Sequence, residues 1–250
     1  MDESTNLKYQ LVSAWCGPAF VALFILFWMF FGHNLPNPSP ALNADEIAAR
    51  YEQYRGSLRL GFIVSLIVIC LYMPWTALLT AQMVRIEGKF PVLAYLQLIG
   101  GALTVMVVSF SAMFWVTAAF RPERDSALIQ LMSDVGWICI DTQYACTTLQ
   151  MVAAALAGLG DKSEVPLFPR WVCFLTIWCG LSFIPASLTG VLKTGPFAWN
   201  GILSFYIPYA AWLVWFAVAS VYMIKEVRRR MHDTVEAKAP AARLAYGLSS

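Results

Sequence analysis

Long apolar runs separated by short polar breaks dominate the chain, a pattern that belongs neither to alternating strands nor to one-sided soluble helices. A helix that crosses a bilayer needs about 20 largely apolar residues. Six runs reach that length: residues 11–32, 60–83, 91–120, 128–159, 171–192 and 202–224. Pro74, Pro185 and Pro208 fall inside the second, fifth and sixth runs, where neighbouring groups must satisfy the freed carbonyls. The first run follows the polar start MDESTNLKYQ, is too long for a secretory signal core and lacks a small-x-small cleavage site. It reads as an uncleaved helix.

The pattern predicts an all-α fold: a polytopic membrane bundle of six transmembrane helices over residues 1–226, with an external loop at 33–58 and a mobile cytoplasmic tail at 227–250. Prolines keep the start of that loop out of helix. Asn43 then serves as an N-cap, with Asp45 and Glu46 in the first turn, and a short amphipathic helix is expected from residue 44 to about residue 54. Ile47, Ala48, Tyr51 and Tyr54 share one side of it, so it should rest on the membrane surface or cap the bundle.

Composition supports the membrane reading: 59% of residues are hydrophobic and 13% charged, with a mean hydropathy of +0.63. Soluble domains carry about a quarter charged residues. A net charge of +2 gives no reason to expect a nucleic-acid partner, so membrane lipids are the expected surroundings. Lys8, Arg85, Lys89, Lys162, Arg170, Lys225, Arg228, Arg229, Arg230, Lys238 and Arg243 would share one face of the membrane. Arg50, Arg55, Arg59, Arg121, Arg124 and Lys193 would share the other. That bias predicts cytoplasmic termini.

All six cysteines lie within the runs and form no CxxC pair, so neither an exported disulfide nor a redox motif is expected. The two histidines, His33 and His232, lie outside the runs, which argues against intramembrane haem or metal chemistry. No P-loop, HExxH or GxSxG motif is present. Neither a cofactor nor a metal is expected. The pair Gly100-Gly101 marks close helix packing.

Candidate chemistry concentrates in the fourth run, SDVGWICIDTQYACTTLQMV. A carboxylate inside the bilayer costs roughly 2.5 to 3.5 kcal/mol and is by default a functional candidate. Asp134 and Asp141 share a helical face that Thr148 continues, while Gln143, Thr147 and Gln150 lie on another side. Polar groups on two sides predict a helix surrounded by protein near the centre of the bundle. Asp134 also reads as an interfacial residue pairing with Arg121 or Arg124. Asp141, roughly 10 Å deeper at 1.5 Å per residue, needs a partner, a proton or water.

The last outer loop, LKTGPFAWNG, brings Lys193, Phe197, Trp199 and Asn200 to the same level, with Lys193 as a counter-charge for either aspartate. Its aromatics suit an interfacial belt. Alternatively, Asp134, Asp141, Lys193, Trp199, Asn200, Arg121 and Trp115 line a pocket that opens outward, with Trp28 at its rim.

The strings PNPSPALNADEIAARY, AAFRPERD, VPLFPRW and KTGPFAWNG resemble segments that recur in an uncharacterised group of bacterial polytopic inner-membrane proteins. The resemblance implies a bacterial inner-membrane location and assigns no functional residue. Three function classes stay open. The first is binding or transport of a small apolar or lipid-like molecule through a pocket near the fourth span, linked to a proton through Asp141. The second is a membrane enzyme acting on a lipid-like substrate. The third is a non-catalytic accessory subunit whose polar residues lock helices together.

Overall fold

A computed structural model describes residues 2–121 and 123–245, and among them there is no strand. The first apolar run forms α1 (Glu3–Phe24), which continues through a π-helical stretch at Ile25–Phe31. His33, at φ 50°, turns the chain out of the helix while the Asn34 N–H closes back on the Met29 carbonyl at 2.9 Å. After the proline-rich loop comes the short helix α2 (Ala44–Gln53). Asn43 accepts from the Glu46 N–H at 3.0 Å and Glu46 accepts from the Asn43 N–H at 2.8 Å, a reciprocal capping box that fixes where this helix begins. Ile47 and Tyr51 are buried, so α2 caps the bundle with its apolar side.

Next come α3 (Arg55–Val68) and α4 (Tyr72–Glu87), joined through a tight 3-10 turn at Ile69–Leu71 just before Pro74. The third run is one unbroken helix, α5 (Val92–Phe120), which packs against α3, α4, α6 and α7 and is the central element. Gly100 and Gly101 permit that. A Cβ at Gly100 would lie 2.7 Å from the Cys146 carbonyl oxygen, and one at Gly101 would lie 2.7 Å from Gln150 Nε2. The remaining elements are α6 (Ser126–Thr142), α7 (Ala145–Leu159), α8 (Arg170–Leu181) with a 3-10 turn at Ile184–Leu188, and α9 (Ile207–Ala245) after a π turn at Ile202–Tyr206.

Among the described residues, five helical stretches are long and apolar enough to cross a membrane: Glu3–Phe31, Arg55–Glu87, Val92–Phe120, Arg170–Leu188 and Ile202–Ala237. The protein is therefore an integral, multi-pass helical bundle. The expected fourth span does not form one continuous helix. It divides at Gln143 and Tyr144 into α6 and α7, of 17 and 15 residues, which run in series across the bundle. Side chains take the carbonyls at the break: Thr142 Oγ1 donates to the Ile138 carbonyl at 2.7 Å, and Cys146 Sγ to the Gln143 carbonyl at 3.0 Å. Such local bonds compete with the helix ladder.

One further expectation changes. The fourth span is not enclosed on all sides, because Leu128, Leu131, Ile138, Leu149 and Leu156 form an exposed apolar stripe and α5 takes the central place instead. The tail from residue 227 continues α9 as helix as far as Ala245, and residues 246–250 lie outside the described residues.

The bundle has two ends. One carries both helix termini and the 87–92 and 159–170 connections, and is called here the termini end. The other, the loop end, carries α2 and the 188–202 loop.

Candidate functional site

The residues expected to form one outward pocket separate into three groups. At the loop end, tryptophans fill the interior. Trp28, Trp115 and Trp137 are buried, with ring centroids 5.9 Å apart for Trp28 and Trp115 and 4.8 Å for Trp115 and Trp137. Trp199 stacks beyond them, 6.2 Å from Trp137 and inclined by 15°. Its Nε1 donates to the Pro38 carbonyl at 2.8 Å, and Asn37 Nδ2 donates to the Trp199 carbonyl at 2.6 Å, so the two loops are tied through one indole residue. Trp115 Nε1 donates to the Ser133 carbonyl at 3.2 Å, across a close approach that Gly136 makes possible. A belt residue would lie at the lipid surface; these two lie inside the protein.

A second group sits at the rim. Asp134 is half-buried, and the Lys193 ammonium acts on it through space from the exposed 188–202 loop without closing to an ion pair. Arg121 is exposed and lies over its neighbour Phe120 at 5.7 Å. Asn200 is half-buried. On α2, burial pushes the Tyr51 hydroxyl to about 12, against the opposing pull of its hydrogen bond with Ser133 and of the Arg50 charge.

Asp141 stands by itself, deeper than either group. It is 2% exposed and lies one residue before the end of α6, beside the break. The Tyr209 hydroxyl donates to Asp141 Oδ1 at 3.3 Å, while Oδ2 has no hydrogen-bond partner among the described residues. The Thr189 hydroxyl, also without a bond of good geometry, faces the same carboxyl group. A buried carboxyl that lacks a full set of donors is costly. Next to it a crevice of about 30 Å³ opens sideways at the break, lined by Ile140, Gln143, Tyr144, Thr147, Tyr209 and Trp212 among others. That space holds a water molecule or two. Asp141 itself does not line it.

Thr147, Thr148 and Gln150 of the fourth span are interhelical locks, whereas Gln143 is exposed at the break. Thr147 bonds to Thr104 of α5 at 2.8 Å, Gln150 accepts from the Tyr72 hydroxyl at 2.6 Å and donates to Thr76 at 3.2 Å, and Thr148 donates to the Gly180 carbonyl at 2.9 Å. Tyr209 and Thr189, the neighbours of Asp141, escaped the sequence reading because both lie on other elements. Pro208, which interrupts the sixth run, was the available pointer to Tyr209.

Another open space lies at the termini end, where none was expected. A polar basin of about 540 Å³ is lined by α4 (Gln82, Arg85), α9 (Glu226, Arg229) and the 160–167 connection. Arg229 clasps Glu226 at 2.9 Å, and Arg85 approaches the same carboxylate at 3.6 Å. Asp161 holds the connection: Oδ1 accepts from the Ser163 N–H and hydroxyl, and Oδ2 from the Leu167 N–H. Burial works against its charge, but these bonds, with help from Arg85, hold the carboxyl below its usual range. The charge signal was present in the sequence as Glu226 beside the Arg228–Arg230 run, which reads there only as an orientation signal.

Among the described residues, no group of three His, Cys, Asp or Glu gathers to hold a metal ion. No family model, curated protein or solved structure matches the chain.

Proposed function

We propose that this is a bacterial inner-membrane protein with both termini in the cytoplasm, and that it binds or carries a small, largely apolar molecule beside the break in its fourth span. Asp141 is the group that exchanges a proton. The observation that carries this reading is the buried carboxyl with one unpartnered oxygen, set beside a helix break and a lateral crevice. Interrupted helices at membrane depth are where transporters expose backbone groups to cargo. A group used only to pin helices would more cheaply be Asn, Gln, Ser or Thr, which avoid the ionisation penalty. The Lys and Arg distribution supports the orientation. The four sequence strings that resemble bacterial inner-membrane segments support the source.

The test is Asp141→Asn in a strain lacking the native copy. Asn keeps the acceptor for the Tyr209 hydroxyl and loses the titratable proton, so folded protein should remain at normal level while the cellular role is lost. Full rescue by a well-expressed variant would overturn the proton-linked reading. Reporter fusions after Arg230 and at Asn43 should give opposite signals, and matching signals would overturn the orientation.

One observation favours a second reading, an accessory subunit with a structural Asp141. Ligand sites usually enclose about 300 Å³ or more, and the crevice encloses only about 30 Å³. Rescue by Asp141→Asn with unchanged stability is the outcome this reading predicts.

A further inference from the structure

The basin at the termini end shares no lining residue with the crevice beside Asp141 and has no part in the reading above. Its volume, about 540 Å³, is that of a small-molecule site. Its formal charges cancel, with Arg85, Lys162 and Arg229 against Asp161, Glu164 and Glu226. The carboxylates and cations are not equally engaged, however. Both oxygens of Glu226 are held by Arg229 at 2.9 to 3.0 Å, and the residue is only 9% exposed. Both oxygens of Asp161 are taken by the connection it holds. Of the basin's three carboxylates, Glu164, exposed on the same connection, is the one with no partner among the described residues.

The cations retain more capacity. Arg229 is fully engaged by Glu226 and Asp233. Arg85 uses Nη1 alone, donating to Gln82 Oε1 at 2.6 Å and facing Glu226. Among the described residues, its Nε and Nη2 hydrogens have no acceptor. The exposed Lys162 ammonium likewise makes no hydrogen bond or ion pair among them. A planar guanidinium fork and a point-charge ammonium are the two side-chain groups that suit phosphate oxygens.

We propose that the basin binds a phosphate-bearing anion, its phosphate oxygens held by the free edge of Arg85 and by Lys162, with Ile86, Val165 and Leu167 receiving the less polar part of the molecule. The basin lies between α4, α9 and the 160–167 connection, and cations presented between helices at the level of lipid headgroups hold phospholipids. A water-soluble phosphate ester offers the same chemistry. Glu164, opposite in sign to the ligand, disfavours it and is the natural place to strengthen binding.

The experiment uses the full chain in a neutral detergent and follows thermal unfolding with two probes, short-chain phosphatidylglycerol and glycerol 3-phosphate, each against potassium chloride at matched ionic strength. At least one probe should raise the melting temperature, because a ligand that binds only the folded state stabilises it. A response to the lipid alone identifies a headgroup site, and a response to glycerol 3-phosphate identifies a soluble ester. Lys162→Gln, at an exposed and unpaired position, should fold normally and bind about tenfold more weakly, the loss of one charge-assisted hydrogen bond. Arg85→Gln should do the same, and Glu164→Gln should bind several-fold more tightly. The proposal fails if neither probe exceeds the matched salt, or if the response persists undiminished in the Arg85→Gln, Lys162→Gln double variant.

Discussion

The two ends of this bundle meet the same requirement, closing a helix bundle at a membrane surface, with opposite materials. At the loop end, Trp28, Trp115, Trp137 and Trp199 form a continuous set of ring contacts, and each loop is fastened to the next by a few hydrogen bonds. At the termini end, Arg85, Arg229 and Glu226 stand around an open basin that water can enter. Indoles gain by packing and exclude space, whereas guanidinium and carboxylate groups need hydration or partners and keep space open. Large polar-tipped aromatics are thus poor markers of a cavity, and clustered charges at helix ends are better ones.

The most forceful way to break that comparison is Trp115→Ala. The indole is 1% exposed and touches Trp28, Phe62 and Trp137. Its removal should cost about 3 to 5 kcal/mol, as truncation of large buried aromatics does. Equilibrium unfolding in mixed micelles measures the loss. A loss below about 1 kcal/mol, the range of an exposed contact, would show that the loop end is not close-packed.

A smaller effect is expected at the other end. Glu226→Gln removes the negative charge that Arg229 pairs with and Arg85 faces and leaves a single amide oxygen as acceptor, but both arginines are about half exposed and regain water. The cost should be about 1 kcal/mol or less. It should shrink further as salt is raised, because exposed charges are screened over about 10 Å at 0.1 M. The Trp115→Ala loss should not change with salt. Equal salt dependence of the two variants would remove the distinction drawn between the ends.

The helical class, the apolar runs and the α2 cap were legible because each rests on local signals: run length, periodicity and the Asn43–Glu46 spacing. The break at Gln143 and Tyr144 was not legible. Thr142 and Cys146 bond there to carbonyls about one turn away, but such residues make the same kind of bond in continuous helices and so give no signal of a break. Asp141 stood out because a carboxylate in an apolar run is costly wherever it points. Its partner Tyr209 did not, because tyrosine in a span is ordinary and contact between distant segments depends on how the helices pack. The basin was hidden for the same reason. Arg85, Asp161 and Glu226 belong to three separate segments, and each has a routine explanation when read along its own segment.

The smallest expected effect sharpens the picture at the rim of the loop end, where the aromatic interior gives way to charge. His33 stacks on Tyr54 at 4.0 Å and its Nε2 lies 3.2 Å from the Ser57 hydroxyl, while Arg50 donates through Nη2 to the His33 carbonyl. Burial, and then the Arg50 charge, lower the imidazole from its ordinary 6.5. The folded protein therefore favours the neutral ring. The unfolded chain takes up its proton near 6.5, so the contribution to stability is complete above that pH and is lost as pH falls toward the lower folded value. A proton-detected titration of the His33 ring should show a midpoint below 6.5. Arg50→Gln should move that midpoint upward, because one of the two lowering influences is gone. Amide exchange in residues 32–58 should quicken as pH falls below the free histidine value and His33 takes up its proton, while exchange at Gln82 and Glu226 stays unchanged. A midpoint at or above 6.5 would mean that the rim is open to water in solution and that the tight aromatic packing of the loop end stops short of His33.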